Sequence, residues 1–212
     1  MRFILNAGLA GAALLFAACA NTEGPTAPTF TADLEAPVAS PDPRVKYKDG
    51  ERYLRDLSDS LAMPRETICK ELGRYDCFSD AFRIVLGGVE GPNLLVNQAL
   101  EVEALTAPIA YDRVALNVCA SRVGLDAADP AAAVLFKSAG KSGRKPSKAW
   151  LNAAANGIYA SVLRRDPTPI ERSQLVAFYD EVAKTNAGTN AAKDWTILGC
   201  FAVATSLEAI FY

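Results

Sequence analysis

Apolar residues recur at three- and four-residue steps through most of the chain beyond residue 50, the spacing of amphipathic helices. Tyr53, Leu54, Leu57 and Leu61 form the first such face. Pro64 then opens a short helix carrying Ile68 and Leu72, with Gly73 in the C′ place. Phe78, Phe82, Val85 and Leu86 make another apolar face before Gly87-Gly88, and their spacing fits helix and strand alike. Residues 89–106 hold Pro92, Asn93 and Asn97 and read as loop with a short element around Leu94 to Val102. Pro108 begins a helix with Ile109, Val114, Leu116, Val118 and Val123, stopped at Gly124. Asp129-Pro130 supplies an N-cap and N1 pair for an Ala-rich helix through Lys137.

The strongest helical pattern runs from Pro146 to Arg165, with Trp150, Leu151, Ile158, Tyr159, Val162 and Leu163 on one side. Asp166-Pro167 breaks it, and Thr168-Pro169-Ile170-Glu171 is a capping box for a helix burying Leu175, Val176, Phe178 and Val182. A last helix is expected over Trp195 to Tyr212. The fold class predicted is mainly α, an irregular array of about six to eight helices joined by short turns. Ahead of it lie two segments of different character. After Arg2, Phe3 to Ala18 is apolar but for Asn6, too short for a comfortable membrane span and patterned as a secretory signal. Pro25, Pro28, Pro37, Pro41 and Pro43 then mark an extended, disordered tether. The expected division is 1–18 signal peptide, 19–47 N-terminus and tether, and 48–212 one helical domain.

Composition narrows the chemistry. Of 212 residues 50% are hydrophobic and 22% charged, a globular balance, and the net charge of −2 offers no global field for nucleic acid. Histidine is absent, which removes Ser-His-Asp and Cys-His catalysis and the usual histidine-ligated metal sites. No cofactor is expected. With Cys19 set aside, four cysteines remain, and an even number in an exported chain reads as two disulfides. Of the three pairings, Cys69–Cys77 is favoured by a short gap containing a Gly turn, leaving Cys119–Cys200.

Several motifs carry candidate chemistry. Gly140-Lys141-Ser142 imitates the end of a phosphate-binding loop, but Leu135 stands where its first Gly belongs. Lys137, Lys141, Arg144, Lys145 and Lys148 form an acid-free basic segment suited to an anionic surface. Asp76 with Asp80, and Glu101 with Glu103, are the carboxylates on which an enzyme without histidine would rely. Asp126 and Asp129 lack the further oxygen ligands of a calcium loop. Trp150, Tyr159, Phe178, Tyr179, Trp195, Phe201, Phe211 and Tyr212 recur at helical spacing and read as core.

Two resemblances add expectations. Leu14-Leu15-Phe16-Ala17-Ala18-Cys19 resembles the lipobox of bacterial lipoproteins, with Phe16 where that family usually has Leu. The resemblance implies a lipidated Cys19 as first residue of the processed chain, a membrane held through that lipid, and, because Ala20 rather than Asp follows, the outer membrane of a diderm envelope. The segment from Tyr159 through Arg165, Pro167 and Glu171, with Ser206-Leu207-Glu208 and Phe211 further on, is similar to helical modules of uncharacterised exported bacterial proteins. That likeness covers roughly the last third of the chain and implies helix ends and turns, with no catalytic residue to carry over. The function expected is a structural or accessory envelope lipoprotein that docks a protein partner and no nucleic acid; a carboxylate-based envelope enzyme, or a module binding a ligand or redox partner, is the alternative.

Overall fold

A computed structural model of the chain describes residues 47–89, 104–137, 145–185 and 190–211. The expected signal peptide, Cys19 and the tether lie outside these residues except for Tyr47, as do Glu101, Glu103, Lys141 and Arg144. The described part is mainly α and stapled by two disulfides. Its elements are α1 (Gly50–Leu61), β1 (Lys70–Glu71), β2 (Tyr75–Asp76), α2 (Ala107–Ala128), α3 (Lys148–Val162), α4 (Pro169–Thr185), α5 (Ala191–Ala204) and α6 (Leu207–Ile210). A π-helical stretch covers Cys77–Phe82 and a 3-10 turn Pro130–Ala132. No helix among the described residues is long and apolar enough to cross a membrane.

The centre of the packing is α5, which lies against α2, α3 and α4. Trp195 is wholly buried and its indole N–H donates to the Leu175 carbonyl of α4 at 2.9 Å, so the largest side chain in the core leaves no polar atom unpaired. Gly199 sits where α3 and α4 converge: a Cβ there would lie 3.2 Å from both Ile158 Cδ1 and Leu175 Cδ1. Cys200 joins Cys119 of α2 across Cα atoms 5.8 Å apart. α1 closes the other side through Tyr53, Leu54, Leu57 and Leu61, all buried, and the Tyr53 hydroxyl donates to the Ala204 carbonyl at 2.8 Å. Burial, with the negative field of Asp112, pushes the Tyr53 phenol far up and keeps it a neutral donor.

Several expectations are corrected. Pro64 opens no helix. The chain runs through turns to an antiparallel hairpin pairing Lys70 with Asp76 and Glu71 with Tyr75, closed beneath by Cys69–Cys77 at a Cα separation of 5.6 Å. Leu72 and Gly73 both take left-handed φ at its tip, +53° and +71°, a local geometry that the disulfide and the pairing impose on a residue with no preference for it. The ambiguous stretch after Cys77 is helical only as far as Phe82, and Val85 and Leu86 lie in the turns that follow. α2 runs past Gly124 to Ala128 because Arg122 and Asp126 bridge consecutive turns there at 2.7 Å. Its buried stripe follows Ala107, Ala110, Tyr111, Val114, Ala115, Val118 and Cys119, leaving Ile109 and Leu116 outside. Small residues on that stripe let α5 come close enough for the disulfide.

Nor does an Ala-rich helix reach Lys137; beyond the single 3-10 turn, the backbone N–H groups of Val134, Leu135 and Phe136 donate to the buried Asp126 carboxylate at 3.0, 2.8 and 2.7 Å. The C-terminal helix is two, because Ser206 accepts the Ala209 N–H as a fresh N-cap after Thr205. On α4 it is Tyr179, not Phe178, that shares the buried face with Leu175 and Val182.

Asp126→Ala is expected to destabilise by about 3–5 kcal/mol in urea unfolding, since it strands a buried guanidinium and three amides, whereas Asp129→Ala removes only a turn cap worth about 1 kcal/mol. Replacing Cys119 and Cys200 together by Ala should cost about 4–5 kcal/mol by loop entropy, against about 2.5 kcal/mol for the Cys69 and Cys77 pair. Equal losses from the two pairs would contradict the loop-length argument.

Candidate functional site

The residues that carry the C-terminal resemblance converge. α3 ends at Val162; Arg164, at φ +57°, turns the chain back, and Arg165 emerges over the Tyr159 ring with its guanidinium carbon 5.2 Å from the centroid. The expected capping box forms: the Thr168 hydroxyl accepts the Glu171 N–H at 3.2 Å and the Glu171 carboxylate accepts the Thr168 N–H at 2.7 Å. Arg165 donates to both oxygens of that carboxylate at 2.8 and 3.0 Å, to both oxygens of Glu208 at 2.7 to 3.1 Å, and to the Asp166 carbonyl at 3.0 Å. Every N–H of the guanidinium is engaged. A pocket of about 350 Å³ opens beside this cluster, lined also by Gln174, Phe178 and Val203.

The electrostatics follow from the pairing. Hydrogen bonds from Arg165, joined by the Thr168 N–H, hold the Glu171 carboxyl at about 2, and Arg165 also draws Glu208 below its usual range. The same two glutamates raise the guanidinium further, so the cation is permanent. Burial and the Glu171 charge push the Tyr159 phenol up. An arginine with every N–H engaged has no donor left for an anion, and two carboxyls held below their usual range are not poised to give a proton. The cluster is a clamp that fixes the α3–α4 turn onto α6.

The other sequence candidates separate. Asp76 and Asp80 do lie together, but both are spent on one turn of backbone. Asp76 accepts the N–H groups of Phe78 and Ser79 at 3.1 and 2.8 Å and faces Arg65 and Lys70 at 3.5 and 3.4 Å. Asp80 accepts the Asp76 N–H at 2.9 Å. Burial raises the Asp76 carboxyl, but the Ser79 hydrogen bonds, the Arg65 charge and the Phe78 N–H outweigh it and hold the group below the carboxylate range, unsuited to a general acid. Asp126 is the buried partner of Arg122, and Asp129 caps Ala131 at 3.2 Å. Among the described residues, no group of three or more Cys, Asp or Glu is placed to hold a metal ion.

Of the basic segment, Lys137, Lys145 and Lys148 are described and all three are exposed; Lys145 pairs with Asp180 of α4 at 2.5 Å.

One feature escaped the sequence pattern. Arg113 of α2 pairs with Glu71 of the hairpin, and the Asn117 amide donates to the Lys70 carbonyl at 2.9 Å while accepting the Lys70 N–H at 3.3 Å, as a neighbouring strand would. The hairpin is thereby seated on the outer side of α2. Ile109 and Leu116 share that side of the helix with Arg113, at three- and four-residue spacing, and are 61% and 44% exposed. Leu72 at the hairpin tip is 83% exposed, and Tyr75 stands beside it under Arg74, whose guanidinium is 5.3 Å from the ring centroid. The signal for this face was the spread of apolar residues over both sides of α2, with Ile109 and Leu116 off the stripe that carries Val114 and Val118.

Comparison with known proteins gives no match: no family model, no curated protein and no solved structure is similar to this chain.

Acid titration of the clamp provides a check. Glu171 falls from an ordinary 4.5 to about 2 in the folded chain, so its contribution to stability is complete above pH 4.5 and is lost as pH falls toward 2. Glu171→Gln should therefore be less stable than wild type at pH 6 and should approach it below pH 4 in chemical denaturation. A constant difference across that window would rule out the ionic clamp.

Proposed function

We propose that this chain is an outer-membrane lipoprotein of a bacterial envelope, anchored by lipid on Cys19, whose helical domain docks an envelope protein through the hairpin and the outer side of α2. The anchoring half rests on the short apolar run before Cys19 and its likeness to a lipobox, with Ala20 favouring the outer membrane. The docking half is carried by one observation: Leu72, Tyr75, Ile109 and Leu116 are exposed around the place where Arg113 and Asn117 seat the hairpin. Single exposed apolar residues are ordinary; several about one rigidly held element, rimmed by Lys70, Arg74 and Arg113, make an interaction surface. Rigidity matters because a pre-ordered anchor loses less entropy on binding. The Cys69–Cys77 bridge and the Asn117 contact supply it.

A carboxylate-based enzyme receives less support, because Asp76 and Asp80 are both committed to capping.

Mass spectrometry of the processed chain should find acylated Cys19 at its amino terminus; an unmodified terminus would remove the anchoring half. A photo-crosslinking amino acid at position 109 or 116 should trap one envelope protein in intact cells, and the same residue at exposed position 181 should not. Leu72→Asp with Ile109→Asp should weaken that adduct more than tenfold, about 1.4 kcal/mol or greater. Equal trapping at all three positions would remove the docking half.

A further inference from the structure

Between α3 and α4 runs a groove of about 520 Å³, a size small-molecule sites commonly use, about 300–1,000 Å³. Its apolar lining is built from buried Pro146 and Leu151 and half-buried Val176, with Pro169 and Ala177 exposed. Three cations line it, Lys145 and Lys148 from the α3 end and Arg172 from the first turn of α4, against one acid, Asp180. Asp180 is taken by Lys145, which also lies 5.8 Å from the centroid of the Tyr179 ring. Lys148 and Arg172 line the groove from different helices, and neither has an ion pair among the described residues.

The two halves of this lining ask for different things. Cations without counter-charges favour a carboxylate or phosphate, and an apolar floor favours hydrocarbon. A small polar anion would leave the floor wet, and a neutral lipid would leave the cations unpaired. We propose that the groove binds an anionic amphiphile, its carboxylate or phosphate head met by one of the two unpaired cations, Lys148 or Arg172, and its aliphatic chain laid along Leu151, Val176 and Ala177. Lysine would meet the head group as a mobile point charge, arginine as a planar fork. Asn152 and Ser173 add polar groups at the lining. The site lies on α3 and α4, apart from the hairpin face, and needs no lipid on Cys19.

The ligand chemistry has two sources, a lipid of the bilayer and a free amphiphile, and the test separates them. The full chain, held in discs of neutral phosphatidylcholine, is irradiated in two arms: with a diazirine fatty acid added from solution, and with a diazirine phosphatidylglycerol built into the disc. Adducts should map to residues 145–152 or 169–180 and be displaced by unlabelled amphiphile. Labelling from the fatty acid marks a soluble ligand, and labelling from phosphatidylglycerol a membrane lipid; either supports the site. Lys148→Glu with Arg172→Glu should lower the yield more than tenfold. Ala177→Trp, which fills the groove and keeps its charges, should do the same, and Lys148→Arg with Arg172→Lys should retain labelling. No groove adduct in either arm, yields unmoved by the charge and filling variants, or equal labelling by a diazirine phosphatidylcholine would overturn the proposal.

Discussion

The contact between α2 and α5, locked by Cys119–Cys200, is the constraint on which the described structure depends. It brings together segments 81 residues apart in sequence, the kind of closure that chain entropy most opposes and a covalent link most relieves. Once α5 is held against α2, its other faces define where α3 and α4 sit. Gly199 then sets how closely they approach, and the Trp195 indole bonds to α4. Polar links add to the apolar packing at the periphery: Asp126 gathers the segment after α2, and Arg165 gathers the α3–α4 turn and α6.

Those two arginine–carboxylate sites differ in physical kind. Arg122 and Asp126 are buried, and each extra lone pair or proton is used on backbone, as a buried ion pair requires. Arg165, Glu171 and Glu208 are a third to a half exposed, where single pairs are worth little and geometry must do more. Bidentate contact with two carboxylates provides that geometry. Both sites are therefore architectural, and the proposed recognition falls on other surfaces: the hairpin with the outer side of α2, and the groove between α3 and α4.

These two surfaces suit different partners. The first presents apolar side chains outward on a rigid ring, the chemistry proposed to meet a protein. The second is concave, apolar below and cationic above, and matches a small amphiphile.

Much was legible in the chain before any coordinates. Apolar spacing marked α1, α3 and α4; Thr168 and Glu171 announced the start of α4; and an even set of cysteines in a short-gap and long-gap arrangement pointed to both bridges. These features are local, or follow from chain entropy and counting, so residue order suffices to determine them. The tertiary structure decided what depends on competition between neighbours. The hairpin won over a helix at Lys70–Asp76 because the disulfide and Asn117 reward pairing there. Asp126 took the amides of Val134, Leu135 and Phe136 that a helix would have needed. Which side of α2 faced inward was settled by the small residues that let α5 approach, and that choice turned Ile109 and Leu116 outward. Arg172 and Lys148 came to line one groove only because α3 and α4 pack side by side, an arrangement in space that no spacing along the chain records.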